Sequence, residues 1–326
     1  MTELISLFQA AIFFGTVILF GATGEILTEK SGNLNLGVPG IMYLGGIAGL
    51  VSAFFYEANA ANPTAIVAVL ISLVCAFAVA ALGGLIYSFL TITLRANQNV
   101  TGLTLTIFGG GVANFFGGSL NKLAGGVGQI SVAVASGGYR ATTPLSGLGV
   151  VGKLFFSYGF LAYLAIAVAI ATQLFLNKSR AGLNLRAVGE NPATADAAGI
   201  NVTRNKYLAT CIGAGISGLG GTYYVMNYIK GTWENQGTIE ALGWLAVALV
   251  IFATWKAPRA IWGSYLFGVL YWAYFYIPGL TRSSQEIFKM IPYVVTIIVL
   301  LLVSMRKKRE DQPPQSLGQP YFREER

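Results

Sequence analysis

An all-α, polytopic bundle of membrane-spanning helices is the fold class this sequence predicts, and three observations carry the expectation. Of 326 residues, 55% are hydrophobic and 10% charged, with a mean hydropathy of +0.64, whereas a soluble domain carries roughly 25% charged residues. The charges fall between apolar runs long enough to cross a hydrocarbon core, which takes about 20 residues within a range of about 17–25. Glycine is abundant, at 41 residues, and proline sparse, at 10, as closely packed membrane helices favour. Backbone in lipid must satisfy its own N–H and C=O groups, so the runs are helices.

Nine spans follow in order, and merging or splitting the weaker ones gives eight or ten. The first, 4–24, lacks a basic n-region and reads as a span rather than a cleavable signal peptide. The second is 38–56. The third, 63–93, starts at Asn62-Pro63 and has room to bend at Gly83-Gly84. Spans 101–117 and 155–177 flank an external loop, 118–154, rich in Gly, Ser and Thr. In 206–229, Ala209, Gly213, Ser217 and Gly221 recur every four residues, a smooth ridge that lets another helix approach closely. Spans 240–255 and 290–305 are short, which suits a thinned bilayer or discontinuous helices. The eighth, 260–278, carries Tyr271, Trp272, Tyr274 and Tyr276 near one end, as an interfacial belt does.

Lysine and arginine set the orientation. With loop 178–206 and the C-terminus cytoplasmic and the N-terminus outside, Lys30, Arg95, Lys178, Arg180, Arg186, Arg204, Lys206, Lys256, Arg259, Arg306, Lys307, Lys308, Arg309, Arg323 and Arg326 all fall inside. Lys122, Arg140, Lys153, Lys230, Arg282 and Lys289 fall outside, a split of 15 to 6 in the direction of the positive-inside rule. The formal charge of +8 is thus a topology signal, with no nucleic acid implied. Residues 1–305 form the transmembrane domain. Residues 306–326 form a basic cytoplasmic tail of disordered composition.

The absence of histidine excludes Ser-His-Asp and Cys-His catalysis and every histidine metal site. Cys75 and Cys211 lie within apolar runs and form no CxxC pair. No nucleophile–base or metal constellation supports a membrane-embedded enzyme, and no GxxxxGK[ST] loop is present.

One polar segment stands apart: NKSRAGLNLRAVGENPATADAAGINVTRNK, residues 177–206. Asn191 can cap a helix and Pro192 fits its first position. Ala193, Ala195, Ala197 and Ala198 favour helix, and Gly199 suits a left-handed stop. The result is a rigid, small-faced helix of about two turns, shaped for insertion into a groove on another protein.

This segment resembles the cytoplasmic coupling segment of permeases in binding-protein-dependent ABC importers of the ribose, nucleoside and branched-chain amino-acid type. SGNLNLGVPGIMYLGG (31–46) and LAVALVIFATWKAPRAIWGSYLFG (245–268) are similar to two further stretches of that family, so the resemblance covers about residues 20–305 and is closest to the nucleoside, or simple sugar, branch. Pro39 stands where that branch often has an acidic residue, and Ala253-Thr254 replaces a common glycine-containing pair before Trp255. The resemblance implies a multi-pass protein of a prokaryotic inner (plasma) membrane. It implies an ATPase subunit that holds ATP and Mg and receives Glu190, Asn191, Pro192, Ala193, Asp196, Ala198 and Gly199. It also implies a substrate-binding lipoprotein and a homologous permease or second copy of this chain. No cofactor is expected in the chain itself.

Candidates for the solute path are Asn33, Asn35, Asn114, Tyr223 and Asn227, since polar groups in spans are costly. Asn33 and Asn35 read equally as a capped helix entrance, Asn114 as an interhelical hydrogen bond, and Asn227, like Gln173, as a span end facing water. Charged residues are nearly absent from the spans, with Glu240 the closest approach. That argues against a proton-coupled carrier and for a small neutral polar solute such as a nucleoside or sugar. The alternative class is a stand-alone secondary transporter or facilitator.

Overall fold

The computed structural model of the chain describes residues 2–123, 132–142, 144–147, 149–234, 237–277, 279, 281–306 and 311–323, and among them every regular element is helical. In order these are α1 (Thr2–Glu29), α2 (Val38–Asn59), α3 (Ala65–Ser88, prolonged by a π-turn over Phe89–Thr93), α4 (Gln98–Leu123), α5 (Ala133–Tyr139), α6 (Gly149–Phe155) and α7 (Phe160–Lys178). Then come α8 (Arg180–Glu190), α9 (Pro192–Ala197), α10 (Val202–Tyr223, prolonged by a π-turn over Tyr224–Tyr228), α11 (Thr238–Phe252), α12 (Ala257–Trp272), α13 (Arg282–Lys289) and α14 (Ile291–Arg306).

A helix occupies each of the nine predicted segments. Among the described residues six helical stretches are long and apolar enough to cross a membrane: Leu4–Glu29, Val38–Asn59, Ala65–Thr93, Gln98–Ser119, Phe160–Lys178 and Ser283–Leu302. Helices α11 and α12 fall short in length, at 15 and 16 residues. α10, at 22 residues, is long enough but less apolar; it packs against α1, α2 and α3, so protein rather than lipid surrounds much of its surface. α14 is the opposite case, with Ile297, Leu301 and Met305 all exposed.

The small-residue ridge of α10 explains the centre. A Cβ on Gly213 would collide with the Gly24 carbonyl of α1, and one on Gly221 with the Met42 carbonyl of α2. Ser217 Oγ donates to the Gly21 carbonyl at 3.1 Å. Backbones approach this closely only where side chains vanish, which is how packing replaces the hydrophobic effect in lipid. Helix α3 runs unbroken through Gly83 and Gly84. Gly84 lets it approach α10, where a Cβ would lie 2.6 Å from Ala214 Cβ.

Several boundaries differ from expectation, three of them with a visible cause or consequence. α1 does not stop at Gly24 but continues through Glu25 to Glu29, burying both carboxylates. α3 begins at Ala65, because Pro63 precedes an extended Thr64. Loop 118–154, of which 124–131, 143 and 148 lie outside the described residues, is partly folded against the bundle. The Glu57 carboxylate accepts from the amides of Val134 (3.2 Å) and Ala135 (2.7 Å) at the start of α5, and Tyr139 is fully buried, stacked on Phe160.

The turns at 30–37, 94–97, 179–201 and 253–256 gather at one end of the bundle. Leu34 N donates to Gln98 Oε1 (2.7 Å), Trp255 Nε1 donates to Glu29, and Ala257 N donates to Gln173 Oε1 (3.3 Å). Residues 311–323 close over this end, contrary to the disorder their composition suggests. Ser316 Oγ donates to the Gly189 carbonyl (2.6 Å), Gly318 N to the Gly32 carbonyl (3.2 Å), and Leu317 packs on the core.

Candidate functional site

Three capped helix starts build much of the polar end of the bundle. Ser179 Oγ accepts from Gly182 N at 2.9 Å and starts α8, an amphipathic helix that the small-helix reading of 177–206 missed. Asn191 Oδ1 accepts from Thr194 N at 3.0 Å, Pro192 opens α9, and Gly199 ends it at φ +82°. Asn201 Oδ1 then accepts from Arg204 N at 2.8 Å and starts α10. Each cap satisfies a helix-end amide that would otherwise be orphaned. Asn191→Ala should therefore cost about 1 kcal/mol of local stability, read as faster amide exchange across 192–199 with membrane insertion unchanged.

The two faces of α9 differ. Ala195 is buried with Val188 and Val202, against Ile200 and Tyr321. Glu190, Asn191, Ala193, Ala198 and Gly199 are exposed, and Pro192 is half-buried. The exposed surface is small and rigid, a projection rather than a pocket. Asp196 is turned back toward the tail, where Tyr321 Oη donates to its Oδ2 at 2.9 Å and Arg323 Nε lies 3.1 Å from the same oxygen.

Sequence reasoning missed the acids that hold this end together. Glu25 Oε1 accepts from the Asn35 amide at 3.0 Å, fixing the Asn-Leu-Asn-Leu-Gly turn to α1. Glu29, one helical turn on, accepts from Trp255 Nε1 and so ties the α11–α12 turn to the same helix. Treating Glu25 as a span boundary hid the pair; two carboxylates four residues apart after an apolar run were the available signal. The α11–α12 turn is itself strained: Thr254 and Trp255 both have positive φ, +50° and +54°. These conformations cost of order 1–3 kcal/mol each outside glycine, and Ala253-Thr254 is the pair that departs from the glycine-containing pattern of the family it resembles. Asp311 of the tail braces the turn through Lys256 Nζ (2.8 Å), Arg259 Nη1 (2.8 Å) and Thr254 Oγ1 (3.4 Å). The Lys256 contact, with help from Arg259, holds the Asp311 carboxyl below the ordinary aspartate range.

The five solute-path candidates separate into three places. Asn33 and Asn35 belong to the polar end: Asn33 Nδ2 donates to Thr210 Oγ1 (3.0 Å), and Asn35 Oδ1 accepts from Gly37 N (2.9 Å), closing the turn just before α2 without capping the helix itself. Asn114 shares a face of α4 with Gly110, which abuts Tyr43, and Gly117, against which the Trp233 ring is packed; its Oδ1 is buried and unpartnered. Tyr223 and Asn227 lie together near the opposite end of α10, one turn apart. Both are buried; the Tyr223 hydroxyl faces Thr16 and the Asn227 amide, and neither group completes a hydrogen bond of good geometry. Gln173 meets the α12 amide rather than standing free.

Two groups of rings form on successive residues of α1, and the first touches Tyr223. Phe13 stacks on Tyr223 (centroids 6.1 Å) and meets Tyr158 edge-on (5.9 Å), while Phe14 touches Tyr224, Tyr228, Tyr271 and Trp272. Tyr158 Oη and Trp272 Nε1 are also buried without partners. Buried polar atoms are seldom left unpaired, so these groups keep hydrogen-bonding capacity unused beside aromatic faces. Among the described residues no group of His, Cys, Asp and Glu could hold a metal.

Comparison with known proteins agrees with this architecture. Residues 7–300 match the family described as the branched-chain amino acid transport system / permease component. A putative glucose ABC transporter permease protein of Haloferax volcanii is 35% identical over 265 residues, covering 81% of this chain and 75% of its own. A nucleoside ABC transporter permease protein of Lactococcus lactis is 32% identical, covering 89% and 90%, and a guanosine ABC transporter permease protein of Bacillus subtilis 30%, covering 97% and 96%. No solved structure matches the chain. A helical bundle with apolar helices of spanning length, a polar end of capped turns and a match over residues 7–300 leave one conclusion: this chain belongs to the permease family of ABC importers and is a multi-pass membrane transport component rather than an enzyme.

Proposed function

We propose that the chain forms the translocation path for a small neutral polar solute, a nucleoside or simple sugar, across a prokaryotic inner membrane. The observation that carries the coupling half of this reading is α9, whose exposed Ala193, Ala198 and Gly199 with flanking Glu190 and Asn191 present a rigid projection for a groove on the ATPase. ATP and magnesium act on that separate subunit. The basic turns collect at the α9 end, which supports a cytosolic placement of that end; with nine crossings the N-terminus then lies outside. Driving two such projections takes a second copy of this chain or a homologous permease.

The solute chemistry follows from the orphaned Tyr158, Tyr223, Asn227 and Trp272 groups among Phe13, Phe14, Tyr224 and Tyr271. Neutral donors and acceptors between ring faces suit a planar, uncharged, hydrogen-bonding molecule, which favours a nucleoside. Relatives named for nucleosides and guanosine support the same choice. The test is ATP-dependent uptake by the complete transporter in proteoliposomes. Tritiated guanosine should accumulate and unlabelled nucleosides should compete, with Tyr223→Phe and Asn227→Ala lowering uptake; competition by hexoses alone would refute the nucleoside assignment.

A further inference from the structure

Beside α9 lies a second feature that solute transport does not use. A cavity of about 810 Å³ opens where the α1–α2 turn, the α3–α4 turn, the start of α10 and the tail meet. Its lining includes Asn33, Arg95, Asp196, Arg204, Lys206 and Arg323: four cations and one carboxylate. That carboxylate is already engaged by Tyr321 and Arg323.

Lys206 sets this cavity apart from an ordinary basic surface. It is 3% exposed, and among the described residues no carboxylate or hydrogen-bond acceptor is recorded against its ammonium. The positive-inside preference accounts for cations at a cytoplasmic face but not for burying one, because an ammonium removed from water without a counter-ion is costly. Asn33 is also fully buried; its Nδ2 is committed to Thr210, while its Oδ1 has no donor. The positive end of α10, a 22-residue helix, contributes Val202 and Thr203 to the same lining, which adds to the attraction for negative charge. Arg95 stacks on the Phe322 ring of the tail at 4.5 Å and so is held at the rim.

We propose that this cavity binds a phosphate-bearing anion. The ammonium of Lys206 supplies the buried counter-charge, Arg95 and Arg204 flank the entrance, and Asn33 Oδ1 accepts from a hydroxyl carried by a hydrogen phosphate or a glycerol headgroup. An occupant here touches the tail, the coupling segment and the helix entrances at once, so it braces the end of the bundle through which α9 acts. A carboxylate of a docked protein fits less well, since Lys206 sits inside the cavity and not on the exposed face of α9.

The experiment uses the full-length chain in detergent and follows its thermal midpoint with sodium pyrophosphate. In parallel it follows the midpoint with phosphatidylglycerol in phosphatidylcholine micelles; chloride at matched ionic strength is the control in both. A saturable rise is expected with at least one of the two. The rise should be abolished in Lys206→Met and the apparent affinity weakened about fivefold in Arg204→Gln, the scale of one partly exposed charge contact. A response to pyrophosphate identifies a soluble phosphate, and a response to phosphatidylglycerol alone identifies a lipid headgroup. No response to either, or an equal response in Lys206→Met, overturns the proposal. If Lys206→Met does not fold, an unaltered affinity in Arg204→Gln overturns it, as does a response that only added ATPase subunit produces.

Discussion

Ala193→Trp should abolish solute-stimulated ATP hydrolysis by the assembled transporter while the chain still inserts and folds. Ala193 is exposed on the first turn of α9, so a larger side chain meets little of its own protein. Exposed substitutions of that kind usually change stability by about 0.5 kcal/mol or less. An indole on a helix that must enter a groove is another matter. Loss of a well-packed contact centre costs about 2 kcal/mol or more, roughly thirtyfold in affinity. Co-purification with the ATPase and hydrolysis stimulated by loaded binding protein are the measurements. Full activity in Ala193→Trp would mean that α9 does not couple. Ala195 offers the contrast: it is buried, so enlarging it would damage the chain's own packing and would not separate coupling from folding.

The second large effect lies in the bundle. Gly221→Leu should prevent a stable fold, because even a Cβ at that position would collide with the Met42 carbonyl. Overpacking by added methylenes costs about 1–3 kcal/mol where side chains can shift; here the obstacle is backbone on the adjoining α2, so the cost exceeds that range. Loss of the monodisperse peak in detergent is the expected result. Gly111→Leu is the matched control, since nothing lies within 4 Å of a Cβ there, and it should purify as the unaltered chain does. Equal behaviour of the two variants would show that the α2–α10 approach does not hold the bundle.

How much of this was legible in the sequence depended on whether the signal was local. The α9 helix was readable because Asn191, Pro192 and Gly199 each act on the backbone within a few residues, and the structure uses the first as a cap, the second as an opener and the third as a left-handed stop. The α10 ridge was readable from spacing alone, though not its partners, Gly21 and Gly24 on α1 and Met42 on α2. Glu25 and Glu29 were misread because a charge in an apolar run ordinarily marks a boundary. The hydrogen bonds they accept from Asn35 N and Trp255 Nε1 depend on residues 10 and 226 positions away along the chain. The tail was misread for a related reason. Its composition lacks a core of its own, but Ser316, Gly318 and Tyr321 bind carbonyls and a carboxylate supplied by the bundle. Tyr223 and Asn227 could be named as polar groups in a span, yet only the fold brings Phe13 against Tyr223 and Tyr158 against Phe13.

The central claim is that this chain supplies a path and a projection while partners supply ATP hydrolysis and solute capture. It is tested most directly by uptake into proteoliposomes holding this chain alone, compared with proteoliposomes holding the complete transporter, its binding protein and ATP. The account predicts accumulation only in the complete system and none by the chain alone, with or without an imposed proton gradient. Saturable uptake by the chain alone would contradict it and establish a carrier that works without an ATPase.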